Sequence, residues 1–225
     1  MTEPLLIFDC DGVLVDSEPI SISLLIEYCA ASGFEISAED AYRTFLGKPV
    51  GDATMHIKAN FDVSLPALDT DRFQHDVLAR FERDLAPVNG VADALARITF
   101  GKTVASSSNL ARIRRSLQLT GLEGFFGNHI FSTDMVARGK PHPDVFLHAA
   151  RQMDALPENA IVIEDSPAGL IAAKAAGMRT IAFAGGSHAV PADLENMLAG
   201  HQPDRMIRDM DDLPATVLDL AKARA

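Results

Sequence analysis

Leu5-Leu6-Ile7-Phe8-Asp9-Cys10-Asp11-Gly12-Val13-Leu14-Val15-Asp16-Ser17-Glu18 is the stretch on which the reading of this chain turns. Leu5–Phe8 is apolar without alternation, the pattern of a strand buried on both faces of a parallel sheet. It runs straight into acid, with Asp9 and Asp11 first and Asp16 and Glu18 close behind. Residues two apart in an extended backbone share a face. Asp9 and Asp11 are therefore expected side by side, with Cys10 turned away into packing and Gly12 permitting a turn. Carboxylates crowded at the end of a buried strand are costly unless positive charge meets them.

Working outward, similar short apolar runs recur at Thr103–Ala105, His129–Phe131, Ile161–Ile163, Thr180–Ala184 and, more weakly, Arg205–Ile207. Between them lie helix-like patterns at Leu110–Leu119, Asp144–Met153, Ala168–Ala176, Leu194–Leu198 and Leu213–Ala223. Ser166 can cap the third of these, Pro167 suits its first position and Gly177 can stop it. Strands alternating with helices predict an α/β fold, a Rossmann-like doubly wound parallel sheet with right-handed crossovers.

One interval breaks the alternation. Ile20–Ala31, Ala38–Leu46, Asp52–Asn60 and Asp69–Leu85 are all helical in period, separated by Gly33, Gly47-Lys48-Pro49 and Ser64-Leu65-Pro66. The expected organisation is a core domain of residues 1–16 and 87–225 with an inserted four-helix-bundle cap at 17–86. Linkers near Val13–Asp16 and Pro87–Gly90 could hinge it.

The chain has 225 residues, 48% of them apolar, and a net charge of −11. That charge repels polyphosphates on average, so nucleic acid is not an expected partner. Arg112, Arg114 and Arg115 form the one tight basic cluster and read as a solvated helix face. The two cysteines, Cys10 and Cys29, suit a reducing compartment. No secretory signal pattern is present, and no apolar run reaches the ~18–20 residues that span a bilayer. A cytoplasmic monomer with no membrane partner is the expectation.

Ligands of an open parallel sheet collect beyond the carboxyl ends of its strands. There the first strand delivers Asp9 and Asp11, and the second delivers Ser106 and Ser107 just before a helix N-terminus, whose free N–H groups favour an anion. Lys140 follows the third, within Gly139-Lys140-Pro141-His142-Pro143, and the fourth ends in Glu164 and Asp165. Asp9, Asp11, Glu164 and Asp165 bring up to four negative charges together, with Lys140 the obvious offset. A divalent cation is the natural remedy. Oxygen donors without Cys or clustered His select a hard ion such as Mg²⁺, which readily completes its shell with a substrate phosphate.

These residues resemble the motifs of the haloacid dehalogenase superfamily, in its helical-cap branch of phosphatases and β-phosphoglucomutase-like mutases. Asp9-Cys10-Asp11-Gly12-Val13 matches the first motif, Ser106 the second, Lys140 the third and Glu164-Asp165 the fourth. The likeness extends to the insert and to Gly185-Gly186-Ser187-His188.

The resemblance implies roles. Asp9 would be the nucleophile forming an aspartyl-phosphate, and Asp11 the acid and base for the leaving alkoxide and the attacking water. Asp9, Asp165 and the Asp11 carbonyl would hold Mg²⁺, with Glu164 a ligand directly or through water. Ser106, Ser107 and Lys140 would bind the phosphoryl oxygens. Asp11 favours phosphatase or mutase over dehalogenase or transport ATPase.

Leu46-Gly47-Lys48-Pro49 resembles the family's cap specificity loop, making Gly47, Lys48 and Arg43 candidate substrate contacts. Pro19-Ile20-Ser21 and Val50 stand where mutases usually have a His and an Arg. The expected function is thus a Mg²⁺-dependent phosphatase of a small phosphorylated metabolite, a sugar, sugar-acid or polyol phosphate. The alternative is a sugar-phosphate mutase, and a non-enzymatic phosphate-binding protein is disfavoured. His142 and His188 are expected to be structural, and Phe125 and Phe126 to be core.

Overall fold

The structure, a computed structural model, describes residues 3–48 and 50–222. Pro49 of the expected specificity loop and Ala223 at the end of the last expected helix lie outside the described residues. The sheet is built from β1 (Leu5–Phe8), β2 (Lys102–Ser106), β3 (Ile130–Ser132), β4 (Ala160–Glu164), β5 (Arg179–Phe183) and β6 (Arg205–Ile207). Its order is β3-β2-β1-β4-β5-β6, and every pairing is parallel.

The quoted stretch lies at the centre. Phe8 sits opposite Val104 on one side and Ile163 on the other, so the strand ends that deliver Asp9, Ser106 and Glu164 are level. The chain moves outward from β1 in one direction through β2 and β3, then returns to its other side for β4. This reversal places a crevice at the carboxyl edge between β1 and β4.

Both faces of β1 are buried. Leu6, Phe8 and Cys10 join Ile161, Ile163 and Phe126 in one cluster, while Leu5 and Ile7 join Val162 and Phe146 in another. Cys10 therefore packs away from its acidic neighbours, as alternation requires. Phe126 is core, edge-on to Phe8 at 5.8 Å.

Helices α1 (Glu18–Ala31), α2 (Ala38–Phe45), α3 (Ala53–Phe61) and α4 (Thr70–Asp84) fill the interval after β1. α5 (Val91–Arg97), which the sequence reading missed, follows before β2. α6 (Leu110–Leu119), α7 (Asp144–Gln152), α8 (Pro167–Ala175), α9 (Leu194–Ala199) and α10 (Leu213–Lys222) alternate with the later strands. Ser166 caps α8 by accepting from the Gly169 N–H.

The two connections to the α1–α4 segment run side by side. Asp16 N donates to Ala86 O and Val88 N donates to Leu14 O, both at 3.0 Å. Ile22, Leu25, Tyr42, Phe45, Ile57, Phe73, Val77 and Phe81 form the apolar interior of α1–α4, and their cluster continues into Leu170, Ala182 and Leu194 beside the sheet. Among the described residues, no helix is long and apolar enough to cross a membrane.

Candidate active site

A cavity of about 620 Å³ opens at the carboxyl edge. Asp9, Asp11, Ser106, Ser107, Lys140, Glu164 and Asp165 all line it from the sheet side. Gly47, Lys48, Glu18 and Gln74 line it from the α1–α4 side. Residues more than a hundred positions apart are thus gathered by strand ends, as the sequence order implied.

Lys140 ties the acids together. Its Nζ lies 2.6 Å from Asp9 Oδ1 and 2.6 Å from Glu164 Oε1. Burial opposes its charge, but the two carboxylates outweigh burial and raise its pKa above the ordinary lysine value. Asp9 moves the other way for an acid. Burial pushes its pKa well up, Lys140 pulls it down, and Glu164, Asp165 and Asp11 push it up again. One lysine leaves this corner short of positive charge.

Asp9, Glu164 and Asp165 each offer an oxygen within 4.8 Å of the others, and all three are buried. Burial, incompletely offset by His188, also raises the pKa of Asp165. A buried, oxygen-only, acid-rich donor set of this size fits a hard divalent cation.

The backbone around the cluster is shaped for close approach. A Cβ on Gly12, whose φ is +76°, would stand 1.8 Å from Asp165 Oδ2, and one on Gly169 would stand 1.8 Å from Glu164 Oε1. Glu164 is held further by the Ser166 N–H and hydroxyl, both at 2.9 Å. His188 is fully buried. Its Nε2 lies 3.2 Å from Asp165 Oδ2, so this histidine is part of the site's support rather than of loop packing alone.

Asp11 corrects the expectation that four carboxylates cluster together. Its carboxylate stands apart from the acidic trio: Ser17 Oγ donates to it at 2.7 Å, Ser108 Oγ at 2.6 Å and Arg112 at 2.9 Å. Arg112, with help from Ser108 and Ser17, overcomes burial and lowers its pKa. Those donors occupy its side-chain oxygens.

Arg112 corrects another. It is no solvated residue: its side chain is 13% exposed, and it is stacked 5.0 Å from the Phe81 ring centroid. α6 packs against α4, which periodicity along α6 could not disclose. Arg43 is a third correction. It does not line the cavity, because α2 turns it outward onto Glu39 and Asp40. Lys48 does line it, with Nζ 2.8 Å from Thr44 O.

Ser106 is buried, its Oγ accepting from Ser108 N at 3.1 Å. Ser107 is exposed, its carbonyl accepting from Thr133 Oγ1 at 3.1 Å. The sequence reading assigned no site role to Ser17, Glu18 or Ser108. Glu18 and Ser17 were visible only as acid and hydroxyl trailing the first motif. Glu18 reaches the cavity and Ser17 reaches Asp11 once the chain has turned at Gly12.

The family described as haloacid dehalogenase-like hydrolase matches residues 6–183. The 6-phosphogluconate phosphatase of Escherichia coli strain K12 is 28% identical over 185 residues, covering 82% of this chain and 84% of that one. A conserved haloacid dehalogenase-like protein of unknown function from Agrobacterium tumefaciens is 37% identical, with a TM-score of 0.89, covering 98% of this chain and 100% of that one. A crystal structure of a haloacid dehalogenase family hydrolase from Deinococcus radiodurans, with bound phosphate and sodium, is 28% identical with a TM-score of 0.80, covering 96% of each chain.

Proposed function

This chain belongs to the haloacid dehalogenase-like hydrolase family, and from that premise we propose that it is a Mg²⁺-dependent phosphoric monoester hydrolase acting on a small phosphorylated sugar, sugar acid or polyol through Asp9. The observation that carries the reading is the Lys140 ammonium bridging Asp9 and Glu164 at 2.6 Å beside a third buried carboxylate, Asp165. The 6-phosphogluconate phosphatase relative supports the substrate class.

Asp9, Asp165 and the Asp11 carbonyl would hold the Mg²⁺, with Glu164 direct or through water. When bound, the ion supplies charge neutralisation for the phosphate and for the attacking carboxylate. Asp9 attacks phosphorus, giving an aspartyl-phosphate as the alkoxide departs. Lys140, Ser106 and the Ser107 N–H bind phosphoryl oxygens and stabilise the charge that spreads over them, which is most of what phosphoryl transfer requires. Asp11, once released from its resting donors and protonated from solvent, gives that proton to the leaving oxygen and then takes one from the water that hydrolyses the acyl-phosphate. Helices α1–α4, residues 17–86, act as a cap that supplies leaving-group contacts and excludes bulk water.

A phosphate-release screen over phosphorylated sugars, sugar acids, polyols and nucleotides with Mg²⁺ tests this. Release from members of the first three classes is expected. Isomerisation of a sugar phosphate without release would replace hydrolysis by mutase chemistry, and inertness toward the whole panel would end the enzymatic reading.

A further inference from the structure

Arg112 has more donors than partners. Its Nη2 meets Asp11 at 2.9 Å and its Nη1 meets Gln74 Oε1 at the long distance of 3.5 Å. Its Nε is buried with no acceptor among the described residues. A buried guanidinium left short of acceptors is unfavourable. This one is locked in place by the Phe81 ring and lines the cavity.

Its position is specific. Asp11 must reach the ester oxygen of the leaving group, so the leaving group itself lies beside Asp11 and hence beside Arg112. Glu18 faces the same space from α1. A further carboxylate there would compete with Asp11 and Glu18 for the guanidinium, and of these Asp11 is the one with work elsewhere. Planar two-point recognition of a carboxylate is what an arginine fork does best.

We propose that Arg112 is a specificity-determining residue: it takes the carboxylate of an acid-bearing leaving group, so the preferred substrates are phosphate esters of sugar acids, and in doing so it releases Asp11 to the ester oxygen. This rests on the phosphatase reading above and narrows its substrate class. The alternative is that Arg112 only positions Asp11, in which case it would serve every ester equally.

The experiment compares two esters of one chain length, an aldonic acid and an alditol each phosphorylated on the terminal hydroxyl. The wild type, Arg112→Gln and Arg112→Lys are measured for kcat and KM. The wild type is expected to favour the acid ester by about 10-fold or more in kcat/KM, the scale of one charged hydrogen-bonded contact. Arg112→Gln should bring that ratio close to one, and Arg112→Lys, which keeps the charge but not the fork, should keep part of it. Calorimetric binding of both esters to Asp9→Asn, with and without Arg112→Lys, repeats the comparison without turnover, and it decides the matter if Arg112→Gln does not fold.

Equal wild-type preference, equal affinity in Asp9→Asn, or an equal loss for both esters in Arg112→Gln would overturn the assignment. No release from either ester alongside release from other members of the panel would likewise overturn it, whereas inertness of the whole panel would instead sink the phosphatase reading, with the calorimetry still judging Arg112.

Discussion

Two acids two positions apart are given opposite surroundings. Asp9 is paired with Lys140 in a crowd of carboxylates, while Asp11 is saturated by two hydroxyls and a guanidinium. This separation suits a nucleophile and a proton carrier. Replacing Asp9 by Asn removes the proposed nucleophile from a corner rich in negative charge. Turnover should fall by at least about 1,000-fold while the fold survives, measured as phosphate release alongside thermal melting. Retention of substantial hydrolysis would remove Asp9 from its role.

Glu18 carries a pH prediction. Burial first, then Asp165 and Asp11, raise it from 4.5 to about 7. Between those values the folded chain binds the proton and the unfolded chain does not, so folding is favoured at low pH and that advantage is lost as pH rises through 7. In metal-free buffer, wild type should therefore lose about 1–2 kcal/mol relative to Glu18→Gln between pH 5 and pH 8, less than the full shift implies because the residue is half-buried. A difference in unfolding free energy that stays flat across that range would contradict the assignment.

At the scale of elements, α8 couples cap chemistry to site geometry. Ser166 both caps the helix, accepting from Gly169 N at 3.0 Å, and donates to Glu164 at 2.9 Å. Ser166→Ala should cost about 1 kcal/mol of stability and loosen Glu164. Gly169→Ala is the sharper change, since its methyl would collide with a carboxylate fixed by Lys140 and Ser166. Weakened Mg²⁺ binding by calorimetry, with far-ultraviolet circular dichroism unchanged, is the expected result; unchanged affinity would show that Glu164 can move freely.

Much of this was legible in the sequence, because apolar runs ending in polar residues mark buried strands and their delivery points. Leu110–Leu119 is found with those bounds. α5 escaped because Val91–Arg97 is a short helix lying directly after a Pro/Gly linker. Arg112 escaped for a different reason: a charged helix face shows its period but not its neighbour, and only the packing of α4 on α6 makes it interior. Lys48 and, behind it, Arg43 are both candidates along the chain, yet α2 turns Arg43 onto Glu39 and Asp40.

Across the whole molecule, Asp9 and Glu164–Asp165 lie far apart in the sequence and meet only when β1 and β4 pair. An ion shared among them would bind the folded chain and not the unfolded one, so its affinity becomes folding free energy. The buried trio has one ammonium to balance it, so a divalent cation there would relieve the remaining repulsion. At Mg²⁺ concentrations about 100 times the dissociation constant the gain is about 2.7 kcal/mol. For a chain of this size that corresponds to a rise in Tm of roughly 5–10 °C. Calorimetric melting with Mg²⁺ and with EDTA should show that rise together with loss of phosphate release in EDTA and its return when Mg²⁺ is restored. Asp165→Asn should shrink the rise, because it removes one of the three carboxylates. If neither the melting temperature nor the activity responds to chelation, Lys140 alone balances the cluster and the metal assignment fails.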